Sequence, residues 1–247
     1  MKPLKNLIYK LIKYLEYFFW IKCTNIDPNK DFLDVYQKSM YYTLTSKERM
    51  LALFEAIQYI NKYDIKGDIV ECGIYKGGST MLCALTLNKL KNQDKKIYLY
   101  DTFEGMPMPT EKDISYKKNF ALSKWTPKGA NGSNWCNATI EEVMENMYKT
   151  GYPQNKLIFV KGKVEETIPK VAPEKIALLR LDTDWYKSTY HELFHLYPRL
   201  ITQGVIIIDD YGHWKGAKEA VDQYFREHNI KIMLNRIDYT GRIGIKM

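Results

Sequence analysis

Two stretches decide the fold: Ile176-Ala-Leu-Leu-Arg180-Leu-Asp182-Thr-Asp184-Trp-Tyr186, and Gly204-Val-Ile-Ile-Ile-Asp209-Asp210-Tyr-Gly-His213-Trp214. Ile176–Leu181 is apolar except for Arg180, and Val205–Ile208 is apolar throughout, as expected of parallel strands buried on both faces. Each run ends in a pair of aspartates, and in an open parallel sheet the carboxyl ends of the strands border the ligand crevice. If the two strands are neighbours, several carboxylates converge there, and their repulsion demands protons or a cation. Hard oxygen ligands without a Cys/His cluster point to Mg²⁺, Mn²⁺ or Ca²⁺. A single such aspartate would read as a helix cap. DxD and DD at two consecutive strand ends point to a metal.

Outward from these strands, helices and strands alternate. Thr45-Ser-Lys-Glu48 forms a capping box, and Met50, Leu53, Phe54, Ile57 and Ile60 then repeat at helical spacing to about Tyr63. Strands are expected at Asp68–Cys72, Lys95–Tyr100 and Leu157–Val160. The first is followed by a helix from Ser79 to Leu90. A second capping box at Thr139–Glu142 opens a helix that stops at Gly151. Helices near Ser188–Leu200 and Lys215–His228 lead to two terminal strands, Lys231–Asn235 and Arg242–Lys246, split by Thr240-Gly241. Between residues 102 and 138 periodicity disappears among prolines, glycines and tryptophans, the mark of a functional lid. The pattern specifies an α/β fold with a doubly wound, mostly parallel seven-stranded sheet ending in an antiparallel hairpin.

The 247 residues, 45% hydrophobic, can bury one sizeable core and demand no second domain. The net charge of +8 is spread along the chain without an arginine-rich run, which argues against nucleic acid and suits an anionic small substrate or solubility. Cys23, Cys72, Cys83 and Cys136 lack CxxC spacing and read as reduced thiols of a cytoplasmic protein. Residues 1–22 are aromatic and basic, but lysines at 5, 10, 13 and 22 break them too often to span a bilayer. They suit a packed helix or a subunit contact in a homodimer or higher homo-oligomer, with a membrane-surface helix as the lesser reading. The tryptophans at 125, 135, 185 and 214 suit sugar stacking and lid packing equally.

Glu71-Cys72-Gly73-Ile-Tyr-Lys-Gly77-Gly78-Ser79 lies where the first strand meets its helix. Its spacing is not GxGxxG, and Glu71 adds negative charge where a dinucleotide would put its pyrophosphate. A ligand bearing an ammonium, such as the methionine end of S-adenosyl-L-methionine, suits Glu71 better. Asp101, ending the second strand, is placed for ribose hydroxyls. In order, these features point to an adenosyl cofactor.

VECGIYKGGS, LYDTFEGMP, FVKGKVEETIP, ALLRLDTDWYKST, LYPRL, IIIDDYGHWKGAKEAVDQYF and LNRIDYTGRIGIK together resemble the macrocin O-methyltransferase family, from about Tyr41 to Lys246. The first forty residues and residues 107–138 carry little of the likeness. The family implies a class I methyltransferase sheet and transfer of a methyl from S-adenosylmethionine to a sugar hydroxyl with Mg²⁺. By position, Asp182, Asp209 and Asp210 resemble the metal ligands and Asp184 the general base. Cofactor contacts are implied at Glu71, Cys72, Gly73, Gly78 and Ser79, and at Asp101, Thr102 and Phe103. The turn Gly162-Lys163-Val164 would lie near the adenine, and Asp182 would touch the cofactor as well as the metal. No histidine precedes His191, so a lid histidine cannot be the base, and His213 is the alternative to Asp184. His191 and His195 have zinc-compatible spacing without a third ligand nearby. A DxD glycosyltransferase, a methyltransferase of a non-sugar hydroxyl or phosphate-type oxygen, a DxD phosphatase and a non-enzymatic sugar-binding subunit are the competing readings. The DxD stands too late in the chain for the glycosyltransferase, and Glu71-Cys-Gly occupies the place of the phosphatase nucleophile.

Overall fold

The structure, a computed structural model, describes residues 8, 11, 12, 15, 29–128 and 132–247. Its central sheet has seven strands in the order β5-β2-β1-β6-β7-β9-β8. β1 (Asp68–Cys72), β2 (Ile97–Asp101), β5 (Leu157–Lys161), β6 (Ile176–Leu181) and β7 (Leu200–Ile208) run parallel. β9 (Arg242–Ile245) pairs antiparallel with β7 and with the short β8 (Asn235–Arg236). The α/β class, the seven strands and the antiparallel hairpin match the reading of the sequence. A separate two-stranded ribbon, β3 (Pro127–Lys128) with β4 (Gly132–Ser133), lies within the 102–138 segment.

Strand alternation sorts side chains onto two cores. Ile69, Ile97, Leu99, Leu178, Val205 and Ile207 face α1 (Lys30–Ser39), α2 (Lys47–Lys62) and α3 (Gly78–Lys89), with α4 (Ile140–Tyr148) beside α3. Val70, Cys72, Tyr100, Leu179, Leu181, Ile206 and Ile208 face α6 (Tyr186–Leu196) and α7 (Lys215–Glu227); the single turn α5 (Val164–Thr167) contributes Val164 to that core. Phe32, Val35, Tyr36 and Met40 sink into the first core, where residues 30–40 pack on α3 and α2.

Several boundaries differ from the sequence reading. The cap of α2 is Ser46, one residue later than Thr45; its Oγ accepts the Arg49 N–H and donates to Asp238 Oδ2 at 2.7 Å. β7 begins at Leu200 because a register shift against β6, with Gln203 at φ 68°, carries the polar residues 202–204 as a bulge. β8 shrinks to two residues because it pairs only with β9, at the sheet's outer edge. In the hairpin turn, Asp238 Oδ1 accepts the N–H groups of Thr240 and Gly241.

The expected membrane-surface or packing helix of residues 1–22 lies outside the described residues, except that Ile8, Leu11, Ile12 and Leu15 are helical and exposed. No described helix is long and apolar enough to cross a membrane. Cys72, Cys83 and Cys136 are free thiols.

Residues 102–138 are largely irregular, as expected of a lid, yet they are tied down at several points. Asp113, fully buried, accepts the Thr110 N–H and hydroxyl through one oxygen and the Tyr186 N–H at the start of α6 through the other. Ser115 bridges Trp214, and the Lys215 N–H donates to Ile114 O. The segment is thereby stitched to the loop that follows Asp209-Asp210.

Candidate active site

The chain winds from β1 outward through β2 to β5 and returns to β6 on the other side of β1. That reversal opens a crevice at the carboxyl ends of the strands. A ladder of backbone bonds runs along this edge: Gly162 N–H to Asp101 O, Gly73 N–H to Tyr100 O, Asp182 N–H to Cys72 O, and Asp209 N–H to Leu181 O. The crevice is a cavity of about 370 Å³, within the ~300–1,000 Å³ common for small-molecule sites. Gly73, Asp101, Gly162, Lys163 and Val164 line one end; Asp182, Asp184, Asp209, Asp210 and His213 line the other.

The expected cofactor residues divide into those that face the cavity and those that support it. Gly73 (φ +87°) passes so close to β6 that a Cβ would lie 2.0 Å from the Asp182 carbonyl oxygen. Asp101 accepts backbone N–H groups from Ile74 (2.7 Å), Tyr75 (3.3 Å) and Phe103 (2.8 Å), so its carboxylate shapes the loops on both sides. Burial raises its pKa despite those bonds. The Thr102 hydroxyl donates to Gly105 O. Phe103 does not face the cavity as expected; at φ 52° its ring turns into the core. Cys72 also departs from expectation, because alternation sends its thiol to the opposite core and only its carbonyl reaches the site edge. Gly78 serves packing, since a Cβ there would meet Thr43 at 2.7 Å. Ser79 lines the cavity and donates its hydroxyl to Glu71.

Glu71 does not reach out to an ammonium group. In the register of β1 with β6 it stands beside Arg180, and both belong to the face that α2 and α3 cover. Arg180 Nη1 binds Glu71 and Asp182 (2.8 Å to Oδ2), while Nη2 binds Asp209 (2.5 Å) and Thr45 (2.9 Å). Burial pushes the Glu71 carboxyl up to about 7, with Arg180 opposing the shift. The one charge in the apolar run of β6 is therefore an internal counter-ion beneath the crevice, a role the sequence reading did not assign.

The four aspartates do not act alike. Asp182, Asp184 and Asp210 bring carboxylate oxygens within 4.8 Å of one another. Asp209, expected among the ligands, instead shares the face of Ile207, and its two oxygens are taken by Arg180 and by Arg49 of α2. Arg49 also binds Asp238 (3.0 Å). Asp184, expected to stand clear of the metal, joins the cluster at φ 66°, and its Oδ1 accepts the Trp214 indole N–H at 3.0 Å. Asp210 Oδ2 is buried without a hydrogen-bond partner. Burial raises both Asp184 and Asp210; a hydrogen bond between the two carboxyls lowers Asp184 and raises Asp210, and repulsion from Asp182 adds to the rise of each. A buried carboxylate oxygen with no donor is costly, and a divalent cation among three carboxylates removes that cost. The donor set thus fits a hard cation.

Trp135, Trp185 and Trp214 meet edge-on with centroids 5.0–6.1 Å apart; Trp135 and Trp214 wall the crevice beside the aspartates, with Trp185 buried behind them. His213 lines the cavity with Nδ1 3.0 Å from the Tyr239 hydroxyl; burial, with Arg49 nearby, lowers its pKa. Arg49, Tyr75 and Tyr239 face the cavity too and were missed, because nothing in their local sequence marks them. His191 hydrogen-bonds Ile168 O at 3.0 Å and lies against the tilted ring of His195, away from the crevice.

Comparison with known proteins gives the family. Residues 5–243 match the family described as macrocin-O-methyltransferase (TylF), so the first forty residues, expected to lie outside the likeness, fall almost wholly within it. The chain is 28% identical over 200 residues to demethyldecarbamoylnovobiocin O-methyltransferase of Streptomyces niveus, covering 81% of this chain and 74% of that one. It is 28% identical over 240 residues to a tetracenomycin-C 4'-O-methyltransferase of Streptomyces olivaceus, named for its 8-demethyl-8-(2,3-dimethoxy-alpha-L-rhamnosyl) substrate, covering 97% and 88%. Among solved structures, the O-methyltransferase NovP superposes with a TM-score of 0.73 at 25% identity over 83% of this chain and 82% of that one. The chain belongs to the macrocin-O-methyltransferase family and is an S-adenosylmethionine-dependent O-methyltransferase.

Proposed function

We propose that the enzyme methylates a hydroxyl of a sugar, with Mg²⁺ or a similar divalent cation held by Asp182 and Asp210. The observation that carries this reading is the cluster of Asp182, Asp184 and Asp210, with Asp210 Oδ2 buried and unpartnered, opening into the same cavity as Asp101 and Gly162. The relative named above for a rhamnosyl-bearing acceptor supports the sugar. Mg²⁺ is commonly held by one or two carboxylates together with substrate oxygens, so two aspartates suffice. When bound, the cofactor supplies the electrophilic methyl and the cation supplies positive charge beside the acceptor oxygen.

The chain's own residues do the rest. Asp101 offers its remaining lone pairs to the ribose, and Gly162, Lys163 and Val164 border the adenine. Gly73 lets the cofactor's methionine end approach the backbone. Asp184 takes the proton from the acceptor hydroxyl, and the Trp214 indole fixes one of its oxygens. Arg180 and Arg49 hold Asp209 back, so that Asp209 supports the site rather than ligating the cation. The tryptophan wall orients the sugar ring and excludes water. The test is a screen of activated sugars and sugar glycosides with labelled S-adenosylmethionine, read by product mass with and without EDTA. A product gaining one methyl only when Mg²⁺ is present supports the proposal; full turnover after exhaustive metal removal contradicts it.

A further inference from the structure

We infer that the sugar acceptor carries a phosphate or diphosphate group, bound in a second cavity beside the first; this rests on the methyltransferase reading above. The second cavity, about 380 Å³, shares His213, Trp214 and Tyr239 with the active-site cavity. Its other sides present four cations, Lys215, Lys218, Arg236 and Arg242, and no carboxylate. Lys218 is partly neutralised by Asp222, but Lys215, Arg236 and Arg242 form no ion pair among the described residues.

The two guanidiniums are already fixed. Arg242 Nη1 donates to the carbonyls of Thr240 (3.3 Å) and Gly241 (2.8 Å), and its Cζ stands 5.1 Å from the Tyr211 ring centroid. Arg236 Nε donates to Asp238 O at 2.7 Å. Each guanidinium has five N–H donors, so most of each fork stays uncommitted, in the planar geometry that matches phosphate oxygens. A neutral sugar offers only uncharged hydroxyl oxygens to such a fork, whereas a phosphoryl group offers charge-matched oxygens in bidentate geometry. Because the cavities meet at His213 and Tyr239, a sugar hydroxyl among the aspartates and an anionic group on the same molecule can be held together. Tyr116, His213 and Tyr239, with ring centroids 5.4–5.9 Å apart, form the aromatic cluster at the border of the two cavities.

A glycosyl diphosphate has two chemical sources, a nucleoside and a polyprenyl lipid. The test is calorimetric titration of the full chain, loaded with S-adenosylhomocysteine and kept in EDTA, with inorganic pyrophosphate, UDP and farnesyl diphosphate. Wild type is compared with Arg242→Ala and with the double variant Lys215→Ala/Arg236→Ala. Pyrophosphate should bind the wild type and weaken at least tenfold in both variants, while S-adenosylhomocysteine affinity stays unchanged. UDP binding tighter than pyrophosphate assigns a nucleotide, and farnesyl diphosphate binding tighter assigns a lipid. Absence of pyrophosphate binding at millimolar concentration, or binding indifferent to the substitutions, overturns the inference while leaving the methyltransferase reading intact. Failure of S-adenosylhomocysteine itself to bind overturns that reading instead.

Discussion

Asp209→Asn and Asp210→Asn, neighbours in sequence and identical in chemistry, should have opposite effects on stability. At 4.8 Å, the outer spacing of the Asp182, Asp184 and Asp210 oxygens, two unit charges in an effective dielectric of about 20 repel by about 3.5 kcal/mol. Asp210→Asn removes two such repulsions, but the native site already lessens them by retaining protons, so the net gain at pH 7 without metal should be about 1–3 kcal/mol. For a domain of this size that raises the Tm by roughly 2–4 °C per kcal/mol. Asp209→Asn instead takes a carboxylate from two buried guanidiniums, and breaking a buried pair ordinarily costs about 3–5 kcal/mol. The assay is thermal and urea unfolding of both variants in EDTA, followed by Mg²⁺ titration of each. Asp210→Asn should be more stable and lose its Mg²⁺-induced rise in Tm; Asp209→Asn should be less stable and keep that rise. Equal destabilisation by both substitutions, or loss of the Mg²⁺ response only in Asp209→Asn, would refute the division of labour between them.

Asp184→Asn keeps the shape and the Trp214 bond but cannot take a proton, so kcat should fall by roughly 10²–10⁴ with Mg²⁺ affinity within a few-fold of wild type; near-normal turnover would move the base to His213. Asp101→Ala should weaken S-adenosylhomocysteine by about 1–3 kcal/mol in calorimetry, partly by releasing the N–H groups of Ile74, Tyr75 and Phe103. The metal-free protein should also respond to pH. The folded pKa values of Glu71, Asp184 and Asp210 lie above their unfolded values, so the native state binds more protons. Stability in EDTA should therefore fall as pH rises from about 4 to about 7, by about 3 kcal/mol for Glu71 alone. Saturating Mg²⁺ should flatten that decline, since deprotonated Asp210 is what the cation binds; unfolding scans across the range that show stability rising in EDTA would contradict the reading.

Most of the scaffold was legible in the sequence because its strands are buried on both faces. β1 and β6 were located to the residue by continuous apolar runs between turn signals. Where an element has only one partner or a bulge, as in β8 and the start of β7, pattern alone misjudged its length. The convergence of aspartates was legible on the condition that the two strands are neighbours, which the sheet order meets. Which aspartate does what was not. Asp209 and Asp210 differ by a single step along the chain, and that step turns one carboxylate to the face of Arg180 and Arg49 and the other to the cavity. Arg49 lies 160 residues from Asp209, a pairing local sequence cannot announce. Arg180 was visible as an anomaly in an apolar strand, but its partners emerge only from the register that sets it beside Glu71. Cys72 and Phe103 show the converse: they sit inside motifs that line the cavity while their side chains point elsewhere.

The central claim is that a divalent cation sits among these aspartates beside the cofactor cavity. Crystals grown with S-adenosylhomocysteine and Mn²⁺, measured at the manganese absorption edge, test it directly. One anomalous peak is expected within ligand distance of Asp182 and Asp210, next to Asp184, with Asp209 still on its two arginines. A bound cofactor with no peak there, or a peak ligated by Asp209 in place of Asp210, would contradict it.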